Sequence, residues 1–234
     1  MRTNKPTRPP GGEGIHSHYL VFPLNTPPLL DTVWDGRPWK DIPALGVSRH
    51  MGEKPVHLPM VQAKVAYEVA AISVIFRVED RYVRAVARNY QDNVYEDSCV
   101  EFFFTPGRDI SIGYFNLEIN CGGTALFDFH PGHGKVVHIA AADFSDIQIA
   151  HTLPARVDPE ITTPITWVLE YRIPFDVIGK YCEATRPVRG DTWKANFYKC
   201  GDKTSHPHWL TWSRVDYPSP QFHLPAFFGS LEFT

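Results

Sequence analysis

Two neighbouring runs, Tyr95-Glu96-Asp97-Ser98-Cys99-Val100-Glu101-Phe102-Phe103-Phe104 and Tyr114-Phe115-Asn116-Leu117-Glu118-Ile119-Asn120, set polar side chains at alternate positions among aromatic and aliphatic ones. In an extended chain alternate residues share a face. Asn116, Glu118 and Asn120 should therefore point one way while Phe115, Leu117 and Ile119 point the other. One face builds core, and the other can hold a ligand. Glu101 shares its face with Cys99 and Phe103, which predicts partial burial. A buried carboxylate must find donors or a metal. The competing readings are bland: a solvated strand face for Asn116, Glu118 and Asn120, and a structural hydrogen bond to the next strand for Glu101.

Amides and carboxylates of this kind suit a sugar, whose hydroxyls need fixed polar partners and whose C–H surface needs a flat aromatic cover. Tyr95, Trp209 and Trp212 are the aromatic candidates, and Asn196 is a further amide on a strand. Trp209 and Trp212 stand three apart, so one should pack inward and the other be free. Trp34, Trp39, Trp167 and Trp193 read as core anchors. If the strands of Glu101 and Glu118 are adjacent, they form a carboxylate pair of the type glycoside hydrolysis uses at roughly 5–10 Å. The chain contains no G-x-S-x-G, HExxH, Walker or GxGxxG motif, which leaves other hydrolase, zincin, NTPase and dinucleotide readings without support.

His206-Pro207-His208 with His223 is the densest histidine grouping among eleven. An HxH strand can aim two imidazoles at a metal, but Pro207 favours a loop. His208 is kept as a candidate ligand-binding residue beside Trp209. Glu79-Asp80, Asp92 with Glu96-Asp97, and Asp202 could give oxygen ligands to calcium, although none forms an EF-hand loop and turn chemistry accounts for most of them. Cys99, Cys121, Cys182 and Cys200 include no CxxC pair. They read as buried free thiols, with a Cys99–Cys121 disulfide as the alternative.

The elements that would position these residues are short and β-branched or aromatic, bounded by Asp, Asn, Gly or Pro. His18–Phe22, Met60–Glu68, Ala71–Val78, Tyr82–Ala87, Cys99–Phe104, Phe115–Asn120 and Thr124–Phe129 are predicted strands. Ile147–His151, Thr166–Ile173, Trp193–Cys200, Leu210–Trp212 and Gly229–Phe233 follow. Helical periodicity is confined to a turn or two near Pro174–Tyr181. The pattern predicts an all-β, two-sheet antiparallel β-sandwich of roughly ten strands, jelly-roll-like, with at most one or two short helices.

The 234 residues, 43% hydrophobic and 21% charged, are enough to bury a substantial core as a single domain over residues 15–234. The Pro- and Gly-rich residues 1–14 read as a flexible arm. A net charge of -3 and a pI near 6.4, with no basic run, argue against nucleic acid as a partner. No membrane-spanning segment or export signal is visible. The expected location is cytoplasmic for the chain as written, or secreted or periplasmic if a leader has been removed.

The runs above, together with Ile173-Pro174-Phe175, Trp193-Lys194-Ala195-Asn196-Phe197-Tyr198-Lys199-Cys200-Gly201-Asp202, His206 to Ser213 and Phe222 to Gly229, resemble the carbohydrate-binding module family 9-like proteins. The resemblance covers roughly residues 30–234. It implies a DOMON-like β-sandwich that binds a saccharide end without catalysis, clamping it between two aromatic rings, with calcium in structural roles and no organic cofactor. Carried over by motif, Tyr95 takes one clamp position, six residues before the sugar-binding Glu101. Trp212 or Trp209 takes the other. The sequence departs from the pattern at Tyr95, where Trp is usual, and at Cys99. Two other classes stay open: a glycan-active enzyme using Glu101 and Glu118, and a haem-binding electron-transfer domain with Met60 and a histidine as axial ligands, since other sandwiches of the superfamily hold haem.

Overall fold

The computed structural model describes residues 16–184 and 186–234. The arm expected over residues 1–14 lies outside them. Along the described residues run β1 (His18–Pro23), β2 (Leu45–Gly46), β3 (Arg49–His50), β4 (Met60–Glu68), β5 (Ala71–Asp80), β6 (Val83–Ala85), β7 (Cys99–Thr105) and β8 (Tyr114–Asn120). They continue as β9 (Ala125–Gly132), β10 (Lys135–His138), β11 (Gln148–His151), β12 (Val157–Ile161), β13 (Ile165–Pro174), β14 (Thr192–Cys200), β15 (Trp209–Thr211) and β16 (Gly229–Phe233). Two short helices, α1 (Ala141–Phe144) and α2 (Phe175–Gly179), interrupt them. Ten of the strands have five residues or more; of the shorter ones, β6, β11 and β15 fall at the predicted Tyr82–Ala87, Ile147–His151 and Leu210–Trp212, whereas β2, β3, β10 and the five-residue β12 lie outside the predicted set.

The strands form two layers. The first has the order β10-β9-β8-β7-β14-β16-β1 and the second β1-β4-β5-β13-β11. Within the layers most neighbours are antiparallel, as expected. β1 is the exception and pairs parallel with both, matching His18–Val21 to β16 and Phe22–Pro23 to β4. One strand thus passes from one layer to the other. Its neighbour β16 occupies one half of the β14 edge, over Thr192–Ala195, while β15 occupies the other half, over Tyr198–Cys200. The small β6–β12 pair stands apart from both layers.

The core lies between the layers because the alternation places aromatics there. Phe102, Phe104, Phe115, Leu117, Phe127, Phe197 and Trp193 come from the first layer, and Phe76, Trp167, Leu169 and Tyr171 from the second. Phe104 stacks on Phe102, Phe115 and Trp193 at 4.6, 5.2 and 5.4 Å, and Phe76 meets Phe197 edge-on across the interlayer space at 6.0 Å. Burying aromatics of this size supplies most of the driving force for the fold.

Each outer face is also covered. On the second layer, Trp39 Nε1 donates to Glu170 Oε1 at 2.8 Å, and Lys64 Nζ donates to the carbonyls of Trp39 and Trp34, which straps the segment before β2 across β4 and β13. Trp39, Trp167 and Trp193 are buried as expected, whereas Trp34 is half-buried with Lys64 over its ring. On the first layer, Val215, Phe222, Leu224, Phe227 and Phe228 pack over Phe103, Tyr114 and Tyr198. That second strap leaves part of β7, β8, β9 and β14 uncovered.

Candidate functional site

β7 and β8 pair so that Glu101 stands directly opposite Glu118, and β8 and β9 pair so that Asn116 stands opposite Asp128. Because Phe102, Leu117 and Phe127 turn into the core, all four polar groups turn outward. They form the floor of a groove of about 330 Å³, at the small end of ligand pockets, which run from roughly 300 to 1,000 Å³. Tyr95, Trp209, Asp202 and Leu126 border the groove, as do His130, Phe222 and His223.

The floor is pre-organised by a chain of hydrogen bonds. Asn116 Nδ2 donates to Glu118 Oε1 at 2.8 Å, and His130 Nε2 lies 2.8 Å from Asn116 Oδ1. Asn116 Oδ1 can only accept, so His130 Nε2 is the donor in this pair, and burial lowers the pKa of the ring. The same ring stacks on Tyr114 at 4.6 Å, whose hydroxyl meets His223 Nδ1 at 2.9 Å. Asp128 Oδ1 accepts from Gln91 Nε2 and lies 2.7 Å from His138 Nδ1. A floor tied at this many points loses little freedom when a ligand arrives.

The two glutamates are the chemical centre. Glu101 is 2% exposed and accepts one hydrogen bond, from Cys200 Sγ to Oε1 at 3.0 Å. Burial, with Cys200 and Glu118 close by, raises its pKa well above the usual carboxylate range. Burial lifts Glu118 to about 7, against the opposing effect of the Asn116 amide. Glu101 Oε2 and Glu118 Oε2 are both buried and have no hydrogen-bond partner among the described residues. Orphaned oxygens in native proteins call for an explanation, and a ligand hydroxyl in the groove would supply it.

The aromatic walls are held from outside the sheet. Trp209, the first residue of β15, pairs with Cys200 and so shares its outward face. Its Nε1 donates to Asp202 Oδ1 at 2.7 Å. Tyr95 sits in the 3₁₀ turn Val94–Glu96, and its carbonyl accepts from the Asp202 backbone N–H at 3.1 Å. Both rings are half-buried, with free surface toward the groove.

Of the nine candidate ligand-binding residues, five line this groove: Tyr95, Glu101, Asn116, Glu118 and Trp209. The other four require correction. Trp212 is 7% exposed and packs on Phe197 at 5.6 Å inside the core, so it cannot stack on a ligand. Asn120 has the right face but sits at the end of β8. Its Oδ1 accepts from the N–H groups of Gly122 and Thr124, and its Nδ2 donates to Asp97. Asn196 also faces outward, yet its side chain is spent on the backbone of Ser213 and Phe197. His208 is buried beside Lys199, whose Nζ lies 2.7 Å from its Nε2, while its Nδ1 lies 2.9 Å from the His206 carbonyl.

The remaining expectations resolve in the same way. His206 stacks on Tyr82 at 3.6 Å, and both ring nitrogens of His208 are engaged, by Lys199 Nζ and by the His206 carbonyl, so the HxH pair has no free nitrogen on His208 to offer a metal. The acids considered for calcium have partners within the protein: Glu79 meets Arg77, Asp80 His57, Asp92 the backbone N–H groups of Arg88 and Asn89, Glu96 Lys203 and Asp202 Trp209. Asp97 accepts from Arg84 and from two backbone N–H groups. All four cysteines are free, and Cys121 faces the core while Cys99 faces the groove side, which excludes their pairing. Met60 is exposed at the start of β4. Among the described residues no helix is long and apolar enough to cross a membrane.

Sequence reasoning did not assign Asp128, His130, Cys200, Phe222 or His223 to the groove, although His223 stood in the histidine grouping and Cys200 and Phe222 in the runs that carry the resemblance. Leu126, Asp128 and His130 continue the outward alternation of β9 and could have been found from it. Phe222 and His223 arrive on a strap without periodicity, so no alternation pattern places them over the sheet.

Comparison with known proteins places this geometry. The sequence model described as carbohydrate-binding family 9 matches residues 44–233. Among solved structures, a presumed carbohydrate-binding protein from Bacteroides uniformis superposes with a TM-score of 0.83 at 29% identity, covering 94% of this chain and 100% of its own. A family 9 carbohydrate-binding module from Caldicellulosiruptor kristjanssonii, in complex with glucose, gives 0.62 at 13% identity over 93% and 96% of the two chains. The same module with cellotriose gives 0.63 at 13% identity over 93% of each. At that identity the likeness is one of fold. No curated protein sequence matches the chain.

Proposed function

Because the chain belongs to carbohydrate-binding family 9, we propose that it binds a saccharide end in the groove over β7, β8, β9 and β14, without cleaving it. The observation that carries this reading is the pair of buried, unpartnered carboxyl oxygens on Glu101 and Glu118 beneath the Tyr95 and Trp209 rings. A sugar ring presents hydroxyls to satisfy the first and a C–H face to cover the second. A protonated Glu101 can donate to a hydroxyl oxygen while Glu118 accepts from another, so the pair reads both senses of the hydroxyl hydrogen bond. The family 9 relative that binds glucose and cellotriose makes a gluco-configured end the first ligand to try.

The geometry also supports the non-catalytic reading. Glycoside hydrolysis sets an acid and a base on either side of the scissile bond, one of them ionised. Here both carboxyl groups rise from one floor on adjacent strands, and burial favours the neutral form of each. Titration calorimetry with glucose, cellobiose and cellotriose tests the proposal, with one site per chain expected. Absence of heat with these and a wider glycan panel, from folded protein, would overturn it. Release of reducing sugar that Glu101→Gln abolishes would replace it with the enzyme reading.

A further inference from the structure

Beneath the groove, Glu101 is joined by two thiols, Cys99 and Cys200, whose presence saccharide binding leaves unexplained. Cys99 and Glu101 are two apart on β7 and share its outward face, and Cys200 stands directly opposite Cys99 on β14. All three are buried, and one ligating atom from each lies within 4.8 Å of the other two. In a tetrahedral zinc site, Zn–S bonds near 2.3 Å and a Zn–O bond near 2.0 Å put such donors roughly 3.5 to 3.8 Å apart. Metal binding has to draw the donors together by on the order of 1 Å at most. A second observation points the same way: Glu101 Oε2 is buried without a partner, beside the groove that Cys200 also borders.

We propose that Cys99, Cys200 and Glu101 bind one thiophilic divalent cation, of which zinc is the natural choice, with the fourth coordination position open to the groove. Two sulfur donors and one oxygen select zinc over calcium or magnesium, which take oxygen ligands. On binding, each thiol and the Glu101 carboxyl give their protons to solvent and a lone pair to the metal, so in the metal-loaded form the open metal position, in place of the Glu101 proton, is what meets a ligand oxygen. The cation offsets three ligand charges with two of its own, leaving the site at minus one. Tetrahedral zinc with three protein ligands keeps one position for water or another oxygen ligand, and the unpartnered Oε2 of Glu118 lies across from Glu101 on the neighbouring strand. The inference does not depend on sugar binding, since it needs only these three side chains.

Cobalt(II) alone, added to the reduced full chain in the absence of sugar, is the probe. The expected result is a thiolate-to-cobalt charge-transfer band in the near ultraviolet and intense visible bands of tetrahedral cobalt. Both should saturate at one equivalent and be displaced by zinc. The double variant Cys99→Ser with Cys200→Ser should lose the charge-transfer band, while Cys121→Ser, a thiol on the core side, keeps it. X-ray absorption at the zinc edge of the loaded wild-type protein should count two sulfur neighbours, a readout that needs no variant to fold. Absence of the band at millimolar cobalt, its persistence in a folded double variant, or a zinc shell without sulfur would each overturn the assignment. A null sugar titration would leave it untouched.

Discussion

Trp209 and Trp212 are three residues apart, yet their replacement by alanine should have opposite consequences. Trp209→Ala removes a groove wall. The ring's face over a sugar is worth roughly 0.5–1.5 kcal/mol as an aromatic contact, and the apolar area it shields, on the order of 40 Å² at about 25 cal/mol per Å², adds about 1 kcal/mol. Together these give about 2 kcal/mol, or an affinity loss near thirtyfold. Stability should fall by less than that of a core deletion, because the ring is half-buried and its main fixed partner is Asp202. Trp212→Ala instead empties a core position against Phe197 and should cost about 3–5 kcal/mol of folding free energy, with affinity preserved in whatever fraction stays folded. Urea denaturation and titration calorimetry on both variants, with Trp209→Phe as a ring-retaining control, measure the two effects separately. If Trp209→Ala binds sugar as tightly as the wild type, the groove is not the saccharide site and the placement argued above is wrong.

Three further outcomes follow from the same geometry. Glu118→Gln keeps an acceptor for Asn116 but replaces the orphaned oxygen with an amide. Calorimetry should show affinity down by about tenfold, the scale of one hydrogen bond to a charged or strongly polar partner, with urea stability retained. Asn120→Ala breaks the bonds to Gly122, Thr124 and Asp97, so urea denaturation should show a loss of about 2–4 kcal/mol while calorimetry finds sugar affinity unchanged. His208 is held neutral, its pKa pulled down to about 3 by burial and, less strongly, by Lys199. Between the unfolded value near 6.5 and the folded value near 3, the unfolded chain binds the extra proton, so stability falls as pH drops through that window. At pH 5 this amounts to about 2 kcal/mol, and His208→Gln should flatten the decline in stability measured between pH 7 and 5 by that amount.

The alternation in the sequence predicted which way each floor residue points, because a period of two leaves only two faces and the aromatic one must be core. For the same reason Met60–Glu68 and Gly229–Phe233 were legible to their ends, and the helical turn near Pro174–Tyr181 appears as Phe175–Gly179. Direction alone does not make a ligand residue. Asn120 and Asn196 point outward with Glu118, but a turn consumes the first and the Ser213 backbone the second. The rule that residues three apart face opposite ways required one of Trp209 and Trp212 to be inside. Only the pairing of Trp209 with Cys200 decides which, and that pairing joins β14 to a strand beyond a loop. Lys199 and His208 meet Asp80 and His57 through long-range packing, and no pattern in the chain announces such a cluster.

The placement of Glu101 opposite Glu118 explains why the site is built on this layer. Like charges directly opposite on paired strands destabilise a sheet, and a buried lone carboxylate is costlier still. The chain removes the conflict by taking both groups out of water, which favours their neutral forms, and by moving the apolar burden to the opposite face. There Phe102, Leu117 and Phe127 pack in the interlayer core. Neutral carboxyl groups are useful to a site that must recognise hydroxyls, because each offers a donor as well as an acceptor. The strained polar floor is therefore tolerated by strands whose other face supplies the folding energy, and changes confined to the floor should move affinity far more than stability.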